Sequence, residues 1–232
     1  AFNSLLARSE AARVAQQRFV ADAAHELRTP LAALRLQAQM ALRAQPGADQ
    51  QVELERLREG IDRSTRVAEQ LLELARMDSL GPAIPHQTVV LAALGEDVLA
   101  ASASLAARRG LYLRAALPDA QVMSHHALLH TALRNLLDNA LRYSPPGTVV
   151  RLGAEQLAGG SWCLWVQDGG PGLSAQERER ALQPFVRLHA GDELGSGLGL
   201  AIVQRVALLL GARLQLMPAD PPPGLRVTLQ LP

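Results

Sequence analysis

Apolar residues recur at alternating spacings of four and three along the N-terminal part of this 232-residue chain. The stretch from Ser9 to Arg43 contains no glycine and is rich in residues of high helix propensity. The repeating residues are Val20, Ala24, Leu27, Leu31, Leu34, Ala38 and Ala41. This spacing is typical of a coiled-coil seam. Because an isolated helix cannot bury such a stripe, the repeat predicts a helical bundle, and it constrains the fold more than any other feature.

The repeat stops at residues 44–50, AQPGADQ, where proline and glycine break the helix, and then it resumes. Its second set is Leu54, Leu57, Ile61, Ser64, Ala68, Leu71 and Ala75. We predict two long antiparallel helices that form a hairpin, the first about 35 residues and roughly 50 Å long. A two-helix hairpin cannot cover its own apolar stripe, so we expect a homodimer in which a second copy completes a four-helix bundle.

A change of pattern at residues 79–85, SLGPAIP, marks a domain boundary, because helical and strand patterns alternate beyond it. The predicted helices are Ala92–Arg109, His126–Leu141 and Leu198–Leu210. The predicted strands are Leu111–Leu117, Val149–Glu155, Trp162–Asp168, Arg213–Met217 and Arg226–Leu231. The expected fold class is therefore multidomain α plus α/β, with a helical segment at 1–9, a helical hairpin at 10–80, a linker at 81–87 and an α/β sandwich at 88–232.

Composition limits the location and the partners of the chain. Its 23 basic residues are all arginine and nearly balance 22 acidic residues, so the net charge of +1 gives no field that would attract nucleic acid. The single cysteine, Cys163, cannot form an intramolecular disulfide, which favours a reducing cytosol. No apolar run approaches the roughly 20 residues of a membrane-spanning helix. Because the chain begins at Ala1, we expect a cytoplasmic piece of a longer protein.

His25 is the first candidate for chemistry. It follows the seam residue Ala24, so we expect it to point to the side of the bundle and to be exposed. Five residues later, Pro30 removes a backbone hydrogen bond to Glu26 at a cost of about 3 kcal/mol, which helices seldom bear without compensation. We expect a kink that opens this turn to a partner, and Asp22 and Glu26 as groups that orient the imidazole and leave a neutral ring nitrogen as nucleophile.

Two of the three asparagines, Asn135 and Asn139, lie four apart on one face of a predicted helix in RNLLDNALRYS. Alone, such a pair is more often made of cap or surface residues. Amide oxygens are nevertheless suitable Mg²⁺ ligands beside water and phosphate. One turn on, Arg142 can neutralise phosphate charge and Tyr143 offers an aromatic face to a base.

Two glycine-rich segments follow. Asp168 ends a predicted strand and precedes GGPG, so its carboxylate can accept a hydrogen bond from an amino group. GSGLGL at Gly195–Leu200 opens a predicted helix whose backbone amides can approach phosphate oxygens, although such a segment alone is often only a turn. Between them, Ser174 to Leu194 is polar and irregular, as expected of a mobile segment over a nucleotide, with PFVR at Pro184–Arg187 as its apolar anchor.

With these motifs in this order, the chain resembles the cytoplasmic core of dimeric sensor histidine kinases of two-component systems. HELRTPL resembles the H box, NLLDNALRYS the N box, DGGPGL the G1 box, PFVR the F box and GSGLGL the G2 box. The resemblance implies a HisKA dimerisation and phosphotransfer domain at 10–80 and a GHKL ATP-binding domain at 88–232. It also implies that residues 1–9 end a HAMP-like signalling helix of a parent protein in the bacterial inner membrane.

The resemblance implies a role for each matching residue. His25 would be autophosphorylated, Glu26 would be its neighbouring base, and Thr29 would orient water during dephosphorylation of a response regulator. Asn139 would ligate Mg²⁺ and Asp168 would bind the adenine amino group. The implied ATP-binding residues are Asn135, Asn139, Arg142, Tyr143, Asp168, Gly170, Gly172, Arg187, Gly197, Leu198 and Gly199. Arg142 replaces the usual lysine of the family, and Gly169 replaces the usual asparagine of G1.

Other functions compete with this interpretation. Related ATPases, similar to gyrase and Hsp90, place a glutamate four residues before the metal-binding asparagine, where this chain has Asn135, whose amide is no base. Phosphoryl transfer to His25 is therefore favoured over hydrolysis. A degenerate kinase that only scaffolds a partner would lack some of the essential motif residues, and all are present.

His126 and His130 have a spacing that suits a metal but lack a third ligand, so we expect them to be structural.

Overall fold

The structure is a computed structural model that describes residues 2–45, 47–79, 84–188 and 196–232, with no description of the side chains of residues 2–9, 11–19, 78 and 79. The contacts between residues divide the chain into two compact units, residues 1–73 and 74–232. The sequence placed the boundary later, at a linker of residues 81–87, of which residues 81–83 lie outside the described part. No described helix is both long and apolar enough to cross a bilayer.

Two long helices form the first unit, as the repeat predicted. Helix α1 spans Phe2–Arg43, and helix α2 spans Ala48–Ser79 and continues into the second unit. Helix α1 does not end at Pro30. At the residue just before the proline, the hydroxyl group of Thr29 donates a hydrogen bond of 3.4 Å to the carbonyl oxygen of His25, one turn back in the helix.

The hairpin covers only part of its apolar seam. Ala41 and Leu71 are buried, whereas Leu31, Leu54 and Ile61 expose 58%, 50% and 49% of their surface. The last three belong to the repeats that predict a bundle of more than two helices. A single chain therefore leaves about half of the predicted seam open to water.

The second unit is an α/β sandwich with two sheets. Its elements are β1 (Gln87–Val90), α3 (Leu91–Arg108), β2 (Tyr112–Ala116), β3 (Gln121–Ser124), α4 (His126–Tyr143), β4 (Val149–Gln156), β5 (Trp162–Gln167), α5 (Ala175–Arg180), α6 (Gly199–Leu210), β6 (Arg213–Pro218) and β7 (Leu225–Gln230). Strands β1 and β3 form an antiparallel pair. The larger sheet has the order β2-β4-β5-β7-β6, in which only β2 and β4 are parallel.

Helix α4 is the centre of the core, and it contacts both α3 and α6. Its leucines recur every fourth residue on one face, and those with no exposed surface are Leu129, Leu133, Leu137 and Leu141. Alternate residues of the sheet are equally buried, namely Val150, Leu152, Leu164 and Leu229. One face of the helix is thus fixed by apolar packing, and its other side is available for polar residues.

Every helix and strand that the sequence predicted in the second unit is present, with ends that differ by at most two residues, whereas α1 begins seven residues before the predicted start at Ser9. Three elements were not predicted: the short strands β1 and β3, and helix α5. Helix α5 corrects the expectation of an irregular segment from Ser174 to Leu194. It begins with a capping box, in which Ser174 Oγ accepts from the Glu177 amide at 3.3 Å and Glu177 Oε2 accepts from the Ser174 amide at 2.8 Å. Residues 189–194 of that segment lie outside the described part.

Candidate functional site

His25 lies on the outside of α1, as its position beside the seam predicted, and it is exposed. Its imidazole ring has no hydrogen-bond partner among the residues that the structure describes. The carboxylate of Asp22 is also exposed and does not bond the ring, so the orienting contact that we expected from Asp22 is not formed. Glu26 is half-buried one position after the histidine. The ring nitrogens of His25 are therefore accessible to a second reactant.

Asn139 meets the start of helix α6 at Gly199. A Cβ atom built on Gly199 would lie 2.9 Å from Nδ2 and 3.0 Å from Oδ1 of Asn139. The half-buried amide of Asn139 has no hydrogen bond to any described residue. The absence of a side chain at Gly199 thus lets an unpartnered amide approach the N-terminus of a helix, and it joins the N-box and G2-box motifs into one site.

Helix α6 begins without a side-chain cap. Leu198 is its N-cap residue, is fully buried, and offers no hydrogen-bond acceptor to the amides of the first turn. The amide of Leu198 itself is bonded to Ser196 Oγ at 3.2 Å. A helix N-terminus carries partial positive charge, and its uncapped amides are donors for an anion.

Asp168 lies one residue beyond β5, and the two oxygens of its carboxylate differ in their hydrogen bonding. Oδ1 accepts hydrogen bonds of 2.9 Å from the amide of Leu225 and of 2.9 Å from the amide of Gly170. Oδ2 has no partner among the described residues. Burial raises the pKa of Asp168 above its ordinary value, and the two amide hydrogen bonds oppose this rise. The free oxygen is therefore a half-buried acceptor that is suited to an amino group.

The turn after Asp168 requires two glycines. A Cβ atom at Gly170 would lie 2.9 Å from the carbonyl oxygen of Tyr143, at the end of α4. Gly172 has a φ of +73°, and a Cβ atom there would lie 3.0 Å from the carbonyl oxygen of Gly224. These close approaches place the G1 turn between the C-terminal end of α4 and the loop before β7.

The F-box and G2-box segments are also in contact. The amide of Phe185 donates to the carbonyl oxygen of Gly197 at 3.0 Å. Both residues have positive φ angles, +64° for Phe185 and +70° for Gly197, and a Cβ atom on Gly197 would lie 2.7 Å from the carbonyl carbon of Phe185. Phe185 is a non-glycine residue in the left-handed region, which marks strain that the surrounding contacts must hold. Nothing in the PFVR motif itself marks Phe185 as a residue with a positive φ angle.

The remaining predicted ligands lie in α4 and just after Phe185. Arg142 is half-buried and Tyr143 is 39% exposed at the end of α4. Arg187 is exposed, two residues after Phe185. Asn135 differs from them because it is 2% exposed and its Nδ2 donates to the carbonyl oxygen of Thr131 at 2.9 Å, one turn back in its own helix. Its amide therefore stabilises the helix one turn before Asn139.

Three observations fit a magnesium-bound nucleotide. The amide of Asn139 is unpartnered, the first turn of α6 is uncapped, and one oxygen of Asp168 is free. Within the described ranges, no group of three His, Cys, Asp or Glu residues could hold a metal ion, and Mg²⁺ requires none when phosphates and water complete its octahedron.

The rings of His126 and His130 are stacked with centroids 6.3 Å apart and an interplanar angle of 21°.

Comparison with protein families defines the class. Residues 15–80 match the model of the His Kinase A (phospho-acceptor) domain. Residues 125–232 match the model described as histidine kinase-, DNA gyrase B-, and HSP90-like ATPase. The chain thus combines a phospho-acceptor helical hairpin with an ATP-binding domain of this type.

Similar proteins narrow the class to a family. The sensor protein QseC of Escherichia coli (strain K12) is 39% identical over 223 residues, which are 92% of this chain and 47% of QseC. The solved structure of the mycobacterial sensor histidine kinase MprB is 34% identical, with a TM-score of 0.53 over 63% of this chain and 97% of that chain. The histidine kinase AdeS of Acinetobacter baumannii shares the fold, with a TM-score of 0.70, 23% identity and coverage of 89% and 96%. The chain belongs to the sensor histidine kinase family, and it spans about half the length of the curated relatives it matches.

Proposed function

We propose that this chain transfers the γ-phosphoryl group of ATP to His25 and then to an aspartate of a response regulator. The observation that carries the proposal is the meeting of three motifs in one unit: the amide of Asn139, the uncapped start of α6 and the free oxygen of Asp168. An exposed histidine in a phospho-acceptor domain supplies the second half of the reaction.

The nucleotide would be held from both ends. Asp168 Oδ2 would accept from the amino group of adenine, and Tyr143 would pack against the base. The backbone amides of Gly197 and Gly199, together with Arg142 and Arg187, would face the phosphates. The turns at Gly170 and Gly172 would shape the floor of the site, and Leu198 would anchor the G2 turn in the core. Asn139 would hold Mg²⁺, with Asn135 supporting the helix behind it, and the ion would neutralise phosphate charge.

In the proposed transfer step, His25 would be the nucleophile and Glu26 would accept the ring proton. A ring nitrogen of His25 would attack the γ-phosphorus, a nitrogen–phosphorus bond would form, and the bond to the β–γ bridging oxygen would break to release ADP. The ring proton would pass to Glu26, which is the adjacent carboxylate. Such transfer depends mainly on positioning and charge neutralisation, which a phosphate site lined by backbone amides and a separate nucleophile would supply.

Hydrolysis is the alternative activity of this fold class. It would require a general base one turn before Asn139, where Asn135 stands. Asn135 is buried and its amide is committed to the carbonyl oxygen of Thr131, so it cannot activate water. This contact favours transfer to the histidine over hydrolysis.

The exposed seam of the hairpin supports a homodimer. Leu31, Leu54 and Ile61 are about half exposed in a single chain, and a second hairpin would bury them in a four-helix bundle. The surface beside His25 would then receive the receiver domain of the regulator, and Thr29 would orient water when the phosphorylated regulator is dephosphorylated. We further propose that the parent protein is a sensor of the bacterial inner membrane, with this chain on the cytoplasmic side.

Labelling with γ-³²P ATP and Mg²⁺ tests the proposal. We expect a phosphate that is labile in acid and stable in base, as a phosphohistidine is, and we expect His25→Gln to abolish it. Asn139→Ala should also prevent labelling and ATP binding, while the dimer persists. Labelling that survives in His25→Gln would defeat the assignment of the acceptor, and labelling that survives in Asn139→Ala would defeat the assignment of the metal ligand.

A further inference from the structure

A proline-rich loop far along the chain approaches the backbone of the aspartate that is proposed to recognise adenine. This loop, Pro218–Gly224, joins β6 to β7 and is here called the proline loop. Its sequence is PADPPPG, and the sequence motifs of the site do not include it. Its residues lie about 50 positions after Asp168, but β5 and β7 are neighbours in the sheet.

The residue that follows the proline loop contacts Asp168 through both of its backbone groups. The carbonyl oxygen of Leu225 accepts from the Asp168 amide at 3.0 Å, which extends the pairing of β5 with β7. The amide of Leu225 donates to Asp168 Oδ1 at 2.9 Å. The loop end therefore fixes the backbone of Asp168 and selects which carboxylate oxygen is occupied.

The path of the loop leaves no room for a side chain at its last position. Gly224 has a φ of +142°, and a Cβ atom there would overlap the carbonyl oxygen of Asp168 and lie 2.9 Å from Cβ of Ala219. Its own carbonyl oxygen accepts from the Ala219 amide at 2.9 Å and closes the loop. Glycine is required here because both the backbone conformation and the close approach exclude other residues.

A buried glutamine ties the other end of the loop to the same strand. Gln167 precedes Asp168, is 5% exposed, and its Nε2 donates to the carbonyl oxygen of Asp220 at 3.1 Å. Ala219 is buried as well, at 5% exposure. The proline loop is thus held at Gln167 and at Gly224, on either side of the point where it meets Asp168.

We infer that the proline loop, through Gly224 and Leu225, positions Asp168 so that the site selects adenine over a base with a carbonyl oxygen in place of the amino group. The inference rests on the proposed function, because it assumes that Asp168 faces the base. With Oδ1 occupied by two amides, only Oδ2 can face the ligand. An ionised oxygen accepts from the amino group of adenine, whereas it repels the C6 carbonyl oxygen of hypoxanthine.

Comparison of ATP with inosine triphosphate tests this inference, since the two nucleotides differ only at C6 and in the linked proton at N1. Binding of each to the purified chain with Mg²⁺ would be measured by calorimetry for the unaltered chain, Gly224→Ala and Gln167→Leu. Gly159→Ala is the matched control, because Gly159 also has a positive φ of +103° but no atom within 4 Å of its Cβ position. Thermal unfolding of each variant would show that the fold is retained.

The unaltered chain and Gly159→Ala should prefer ATP by about tenfold or more, the expected loss when one hydrogen bond to a charged group is replaced by repulsion. In Gly224→Ala and Gln167→Leu the preference should fall to about threefold or less, mainly through weaker ATP binding. Equal weakening of both nucleotides, or an unchanged preference in both variants, would overturn the inference. If Gly224→Ala does not fold, Gln167→Leu decides, because leucine is close to glutamine in size and removes only the hydrogen bond to Asp220. Failure of the unaltered chain to bind either nucleotide would instead contradict the proposed function.

Discussion

Replacement of Gly199 by alanine should separate nucleotide binding from folding. The added Cβ atom would lie 2.9 Å from Nδ2 and 3.0 Å from Oδ1 of Asn139, whereas ordinary van der Waals contacts of a Cβ atom begin at 3.4 Å. The amide must therefore retreat by about 0.5 Å, which it can do because it is the end of a side chain. Gly199 is the first residue of α6 and has no positive φ, so alanine suits the backbone there. Its helix propensity is higher than that of glycine by up to about 1 kcal/mol.

The effect on binding should be much larger than the effect on stability. Mg²⁺ requires ligands at about 2.0–2.1 Å in near-ideal octahedral geometry, so a ligand displaced by about 0.5 Å no longer coordinates well. Disturbing the support of a metal ligand typically costs about 10- to 100-fold in affinity. This corresponds to about 1.4 to 2.8 kcal/mol. We expect that loss for ATP in the presence of Mg²⁺, with an unfolding midpoint that is unchanged or slightly higher in the absence of nucleotide.

Calorimetric titration with ATP, with and without Mg²⁺, and thermal unfolding measure the two quantities. Gly211→Ala is the control at the other end of the same helix, where φ is +64° and no atom lies within 4 Å of the Cβ position. It should lower stability by about 1 to 2 kcal/mol through backbone strain and leave ATP affinity unchanged. Wild-type affinity in Gly199→Ala, or a loss of stability as large as that of Gly211→Ala, would refute the reasoning.

Other expected outcomes concern the carboxylate, the hairpin and the acceptor. Burial raises the pKa of Asp168, so ATP affinity should begin to fall at a higher pH than for an ordinary aspartate as the solution is acidified, and calorimetry across pH should show no such fall for Asp168→Asn. Because a raised carboxyl pKa disfavours the folded state above that pKa, Asp168→Asn without nucleotide should unfold at the same or a higher temperature at neutral pH; a large decrease would contradict this. Ile61→Glu should shift the chain from dimer to monomer in sedimentation experiments, whereas Leu208→Glu, at a 69% exposed position of α6, should leave the dimer intact, and equal effects would argue against the proposed seam. Thr29→Ala should keep autophosphorylation and weaken dephosphorylation of the regulator, and an unchanged dephosphorylation rate would count against the role of Thr29. Mixed dimers of His25→Gln and Asn139→Ala chains should carry label on the Asn139→Ala chain only if one protomer phosphorylates the other.

The hairpin and the central helix could be predicted from the sequence because their signals are local. The repeat from Val20 to Ala41 gives one apolar face at every turn, and the break at residues 44–50 ends the first helix where it occurs in the structure. Likewise, spacing alone places leucines of α4 at every fourth position and sets Asn135 and Asn139 one turn apart on the same side of the helix. Periodic signals of this kind can be interpreted without any information about the tertiary fold.

Contacts between distant segments could not be predicted in the same way. Strands β1 and β3 contain four residues each and pair across an intervening helix, so their stability comes from neighbours and not from their own pattern. The close approach of Gly224 to Asp168 depends on the adjacency of β5 and β7, and no local sequence motif predicts that adjacency. Helix α5 is different, because Ser174 and Glu177 form a capping box, which is a local signal that can be recognised in the sequence.

The site of phosphorylation tests the central claim most directly. The chain has no lysine, so trypsin would release residues 19–28, FVADAAHELR, as a peptide in which His25 is the only histidine. After incubation with ATP and Mg²⁺, mass spectrometry at neutral pH should find one phosphoryl group on this peptide, and fragmentation should locate it on His25. An unmodified peptide from a sample that has bound ATP, or a phosphoryl group on any other residue, would contradict the account.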